Sequence, residues 1–151
     1  GLWVSHCDGS AIPNPGRMGL GATLLAPDGQ QHSLSLTSSL VGCNNEAELR
    51  ALIAALQHAH ALGARAVAVC SDSTLLIEQL QPPQPDKRAP APNARLAEWF
   101  DNARAWLARF DSVQLQWIPR HRNSAADTLA RAALGAPAKV AKHPSHKKKK
   151  R

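Results

Sequence analysis

Leu2-Trp3-Val4-Ser5-His6-Cys7-Asp8-Gly9-Ser10 begins as an alternation and runs into a carboxylate. Leu2, Val4 and His6 alternate with Trp3, Ser5 and Cys7. Apolar side chains stand in both sets, the pattern of a strand buried on two faces. Pro13-Asn14-Pro15-Gly16 then punctuates a loop. Residues 19–26 read as a second strand, Pro27-Asp28-Gly29-Gln30 as a hairpin turn, and residues 31–37 as a third strand antiparallel to the second. Residues 44–62 read as a helix capped by Asn44 or Asn45, with a stripe of Leu49, Leu52, Ile53 and Leu56, ended by Gly63. Residues 66–70 form a short buried strand, and Asp72-Ser73 opens a brief helix through Leu80. A helix over 95–110, a fifth strand over 113–117 and a last helix capped by Asn123 or Ser124 and running through Leu134 complete the order. The order β-β-β-α-β-α-α-β-α predicts an α/β fold: a five-stranded mixed sheet, three antiparallel strands then two parallel, flanked by helices.

A chain of 151 residues can bury a core without metals or disulfides, and 44% apolar content is too high for a disordered one. No stretch reaches 18 consecutive apolar residues, so no membrane span is expected, and no secretory leader is visible. Cys7, Cys43 and Cys70 are too few and too far apart for a disulfide framework or a zinc site, which suits a reducing, cytoplasmic setting. The net charge of +7 is localised: Ala138 to Arg151 hold seven cations and no acid, leaving eleven of each sign in residues 1–137. The expected organisation is one domain over 1–136 and a flexible Lys-rich tail over 137–151 that binds polyanions non-specifically. Five prolines within residues 81–92 mark an irregular connection. No long apolar stripe asks for a second copy, so a monomer without an obligate protein partner is expected.

Among the eleven acids, the useful ones are those that the fold would bring together. Ligands of such sheets sit at the carboxyl ends of parallel strands. Asp8 runs out of the first strand and Asp72 out of the fourth, and two carboxylates so placed repel unless a cation bridges them. On the first helix Glu46 and Glu48 stand roughly 200° apart, so only one faces the sheet. Glu46 has Arg50 four residues on, the pairing of a solvated face, whereas Glu48 borders the leucine stripe and is the inward candidate. Asp127 lies in the first turns of the last helix. Together Asp8, Glu48, Asp72 and Asp127 would form an all-oxygen cluster suited to hard cations, Mg²⁺ or Mn²⁺, which take their remaining ligands from water and phosphate. Two such ions about 3.5–4 Å apart would support phosphodiester hydrolysis.

At this point the sequence resembles the type 1 ribonucleases H. The resemblance is carried by Asp8-Gly9-Ser10 with Pro13-Asn14-Pro15-Gly16 and Gly19-Leu20-Gly21; by Asn44-Asn45-Glu46-Ala47-Glu48-Leu49; by Ser71-Asp72-Ser73; and by Asn123-Ser124-Ala125-Ala126-Asp127-Thr128-Leu129-Ala130. These pieces occur in the family's order and cover about residues 3–134. The resemblance implies a ribonuclease H-like fold and an endonuclease that cuts the RNA strand of RNA/DNA hybrids, leaving 5′-phosphate and 3′-hydroxyl ends. Its metal-binding acids map onto Asp8, Glu48, Asp72 and Asp127, with two Mg²⁺ ions as cofactors and Mn²⁺ as a substitute. Gly9, Asn14, Asn44, Asn45 and Ser73 would lie along the hybrid, where bonds to 2′-hydroxyls identify RNA. His121 stands where members often carry a His that assists proton transfer or product release, and its pKa range suits that task. Its neighbours Arg120 and Arg122 offer the alternative of binding phosphate directly.

Three departures stand out. Cys43 replaces a hydroxyl residue that binds a DNA phosphate, and Thr74 follows Ser73 where Gln is common. The basic helical protrusion of many bacterial members is absent, leaving Lys87, Arg88 and Arg95 near the proline-rich stretch, so the Lys-rich tail is expected to supply the grip. The competing readings are a non-catalytic nucleic-acid-binding module of the same fold and a DNA-directed nuclease of the superfamily.

Overall fold

A computed structural model of the protein describes residues 1–82 and 91–137. Strands β1 (Leu2–Ile12), β2 (Gly16–Leu25), β3 (Gln31–Gly42), β4 (Ala66–Ser71) and β5 (Ser112–Trp117) form one sheet in the order β3-β2-β1-β4-β5. The β1–β2 and β2–β3 pairs are antiparallel, and the β1–β4 and β4–β5 pairs are parallel. Helices α1 (Asn44–Ala61), α2 (Thr74–Leu80), α3 (Ala94–Leu107) and α4 (Ser124–Ala133) flank it. This is the mixed sheet expected from the order of elements.

The two faces of the sheet are built differently. Cys7 pairs with Ala22 and Ala11 with Met18 on the face that meets α1, where Leu49, Leu52 and Leu56 are fully buried. Val67, Val69, Leu76 and Phe100 extend that core. On the opposite face Gly19 and Gly21 replace side chains with space. A Cβ at Gly19 would stand 2.1 Å from the Ala130 carbonyl oxygen, and one at Gly21 2.2 Å from that of Ala126. Helix α4 therefore lies directly on the backbone of β2, fastened to β3 by Ser35 Oγ donating to the Leu129 carbonyl at 2.6 Å and Thr37 Oγ1 to that of Ala133 at 3.1 Å.

The strands outrun the sequence pattern. β1 and β2 stay paired through Ile12 and Arg17, which leaves only a three-residue turn between them. In β3 the register slips, Met18 pairing with Ser38 but Arg17 with Val41, so the surplus residues break the alternation and hide the strand's last third. Cys43 is the N-cap residue of α1 in place of Asn44 or Asn45, because the Asn44 side chain is turned back to β1. The proline-rich residues 83–90, with Lys87 and Arg88, and the Lys-rich residues 138–151 lie outside the described residues. Among the described residues no helix is long and apolar enough to cross a membrane.

Candidate active site

Parallel pairing of His6 with Cys70 sets the carboxyl ends of β1 and β4 side by side, and Asp8 and Asp72 each stand two residues on. Gly9 brings α1 to them: a Cβ there would lie 2.2 Å from the Ala47 carbonyl carbon and 2.5 Å from the Glu48 nitrogen. With nothing but hydrogen at that position, Glu48 is delivered over the strand ends. One carboxylate oxygen each from Asp8, Glu48 and Asp72 lies within 4.8 Å of the others. Asp127 joins from α4, whose Ala126 covers Gly21, the β2 partner of Asp8. It stands near enough to Asp8 to raise that group's pKa, outside the three acids that lie within 4.8 Å of one another.

The electrostatics follow from this crowding. Burial first, then the charges of Asp72 and Glu48 and the contact with Asp127, push the Asp8 pKa up to about 8. Burial also lifts Glu48 to about 7, a hydrogen bond from Ser73 holding it down, Asp72 raising it and Arg120 lowering it. A buried oxygen-only set that resists ionisation lacks positive charge, the condition that a hard divalent cation relieves. The donor chemistry of Asp8, Glu48, Asp72 and Asp127 fits such an ion.

The other expected residues are placed as follows. Asn44 Oδ1 accepts from the Ala11 backbone N–H at 2.8 Å, and the Asn44 N–H donates to Asn14 Oδ1 at 3.1 Å, so Asn14 and Asn44 form one unit across the β1–β2 turn. Asn45 is exposed beside them and Cys43 is half-buried. Ser73 is buried: its hydroxyl serves Glu48 and accepts from the Leu76 N–H at 3.2 Å, starting α2. His121 is exposed on a 3₁₀ turn, Arg120–Arg122, between β5 and α4.

Two residues read otherwise from sequence belong to this region. Asn123, expected as a helix cap, makes no cap bond with its side chain. It is 1% exposed, and its Nδ2 donates to the Cys7 carbonyl at 2.9 Å and to Asp72 Oδ2 at 3.1 Å, orienting the carboxylate from behind. Trp117 Nε1 donates to the Asp72 carbonyl at 3.2 Å. The second correction concerns Glu46, which pairs with Arg50 as expected but whose own side chain is fully buried, Arg95 of α3 binding the same carboxylate.

Sheet order, helix placement and clustered acids at the parallel strand ends define a ribonuclease H-like fold. The family model described as "Reverse transcriptase-like" matches residues 6–133. The bifunctional protein Rv2228c of Mycobacterium tuberculosis is 37% identical over 142 residues, covering 91% of this chain and 37% of the relative. The chain thus spans little more than a third of the length of the mycobacterial relatives it matches. The structure of RNase H1 from Halobacterium salinarum superposes with a TM-score of 0.79 at 33% identity, covering 89% of this chain and 98% of that one. LC11-RNase H1, isolated from compost and solved in complex with an RNA/DNA hybrid, gives 0.74 at 29% identity over 88% and 96% of the two chains. The chain belongs to the type 1 ribonuclease H family.

Proposed function

We propose that this chain hydrolyses the RNA strand of RNA/DNA hybrids, leaving 5′-phosphate and 3′-hydroxyl ends. The observation that carries the reading is the convergence of Asp8, Glu48 and Asp72 from β1, α1 and the end of β4, joined by Asp127 from α4. Two Mg²⁺ ions, or Mn²⁺ in their place, held by these acids would activate water and stabilise the leaving oxygen. The residues of the chain do the rest. Asn123 and Trp117 fix Asp72, and Ser73 fixes Glu48. Asn14, Asn44 and Asn45 offer amides at the adjoining edge to the 2′-hydroxyls of the RNA strand. Arg120 and Arg122 would supply positive charge for a phosphate, and exposed His121 on the same turn would carry a proton away. The solved hybrid complex of a relative at 29% identity supports this choice of substrate. The domain over 1–136 would carry the chemistry, and the Lys-rich tail would add non-specific grip.

The test is cleavage of an end-labelled hybrid with and without Mg²⁺ or Mn²⁺, beside single-stranded RNA, duplex RNA and duplex DNA, with Asp72→Asn in parallel. Metal-dependent cutting confined to the RNA strand of the hybrid, and lost in the variant, is expected. Binding without cutting would make the chain a binding module. Cutting of duplex DNA would make it a DNA-directed nuclease.

A further inference from the structure

Glu46 lies two residues before Glu48, yet its side chain takes no part in the acid cluster. It is fully buried and held by two arginines from different helices. Arg50 Nε stands 3.1 Å from Glu46 Oε2, and Arg95 binds the same carboxylate through Nε and, at 3.3 Å, through Nη2. Each arginine also reaches β3: Arg50 Nη1 donates to Ser38 Oγ at 2.9 Å, and Arg95 Nη2 to the Val41 carbonyl at 2.7 Å. The Arg50 guanidinium lies 4.2 Å from the ring centre of Trp99, one turn after Arg95 on α3. Gly42 admits the carboxylate, since a Cβ there would stand 3.0 Å from Glu46 Cδ. One buried anion thus joins the first turn of α1, the first turn of α3 and the end of β3.

That first turn carries Asn44 and Asn45. From the sheet side it is held by the bonds of Asn44 to Ala11 and Asn14, and from the helix side by Glu46. Glu48 has independent supports, namely the close backbone approach at Gly9 and the Ser73 hydroxyl. Loosening the clamp should therefore move the asparagines more than the acid cluster. We propose that Glu46, through Arg50 and Arg95, is a positioning residue that sets the hybrid-binding edge formed by Asn14, Asn44 and Asn45, a role resting on the function proposed above. The Glu46 side chain is 1% exposed and that of Arg50 13%, so removing Glu46 leaves Arg50 uncompensated in the interior, and removing Arg95, itself 60% exposed, leaves the buried carboxylate one partner short.

The experiment compares Glu46→Gln and Arg95→Ala with the wild-type chain. Arg104→Ala serves as control, because Arg104 ties α3 to Asp101 and to the Gln79 carbonyl, away from α1. The expected result is a KM for hybrid raised about tenfold in both clamp variants, with kcat within about twofold of wild type and the control unchanged. Amide exchange supplies a readout that needs no catalysis. In Glu46→Gln the Ala11 and Ala47 N–H groups, bonded to Asn44 Oδ1 and the Cys43 carbonyl, should exchange about tenfold faster. A KM within twofold of wild type in both variants, or a kcat loss at unchanged KM, overturns the clamp while leaving the hybrid reading intact. A wild-type chain that cuts no hybrid overturns that reading, and the role of the clamp falls with it.

Discussion

Asp8 and Glu48 keep their protons in the folded chain to pH values of about 8 and about 7, whereas in an unfolded chain they lose them near 3.8 and 4.5. The folded state binds more protons between these limits, so their contribution to stability is full below about pH 4 and is lost as pH rises toward 8. In metal-free buffer the urea midpoint should therefore fall across that window by more in the wild type than in Asp8→Asn. The variant should be the more stable form at the upper end, by on the order of 1–3 kcal/mol. Mg²⁺ should stabilise the wild type increasingly as pH rises, since metal and protons compete for the same oxygens. Equal pH slopes for the two forms would contradict the burial of this charge. Asn123 makes a separate prediction. Asn123→Ala frees Asp72 to rotate and leaves the Cys7 carbonyl without its donor, so kcat should drop by about ten- to a hundredfold with KM little changed. Stability should fall by about 1–2 kcal/mol, read from urea unfolding beside steady-state kinetics. The sequence pointed to Asp8, Glu48 and Asp72, which the fold brings together, because each follows a strand or sits on a helix face. It hid Asn123 because an Asn before a helix looks like a cap, while its true partner Asp72 is 51 residues away. Glu46 was hidden likewise: an i,i+4 pair looks the same on a surface as in a core until Arg95, 49 residues on, is placed against it.

At the scale of elements, the site depends on how closely two helices approach the sheet, and glycines set both distances. Gly9 lets α1 bring Glu48 in, and Gly21 lets α4 bring Asp127 to Asp8. Gly21→Ala would drive a methyl group to 2.2 Å from the Ala126 carbonyl oxygen, a backbone atom that moves only with the whole helix. The expected cost is on the order of 3 kcal/mol, with α4 lifted and cleavage strongly reduced even in the folded fraction. Unfolding curves and activity measured on the same preparation check both parts, and a variant with wild-type midpoint and rate would refute the close-packing argument. The order of the elements and the mixed sheet were legible from periodicity and turn residues together. The ends of β1 and β3 were not, because pairing with β2 extends β1 beyond its apolar pattern and the bulge opposite Arg17 and Met18 puts β3 out of phase. The asymmetry between a glycine-lined face and a leucine-lined one is also invisible locally. Gly19 and Gly21 read as ordinary strand residues until α4 is laid on them.

For the whole molecule the governing quantity is the distribution of charge. Residues 1–137 carry eleven cations and eleven acids, and Asp8, Glu48 and Asp72 cluster where the proposed hybrid substrate would sit. Such a body attracts a hybrid weakly at long range, and the seven cations of Ala138 to Arg151 are the remaining source of attraction. Deleting Ala138–Arg151 should raise KM at physiological salt and leave kcat unchanged, because the acids and their supports lie elsewhere. It should also flatten the dependence of log KM on log salt, by about 0.7–0.9 for each phosphate that the tail neutralises. Steady-state assays of both forms across a salt series measure this directly. Parallel slopes would mean that the tail neutralises no phosphate, and the grip would then fall to cations of the body, with Arg120 and Arg122 on their turn beside the acids as the first to substitute.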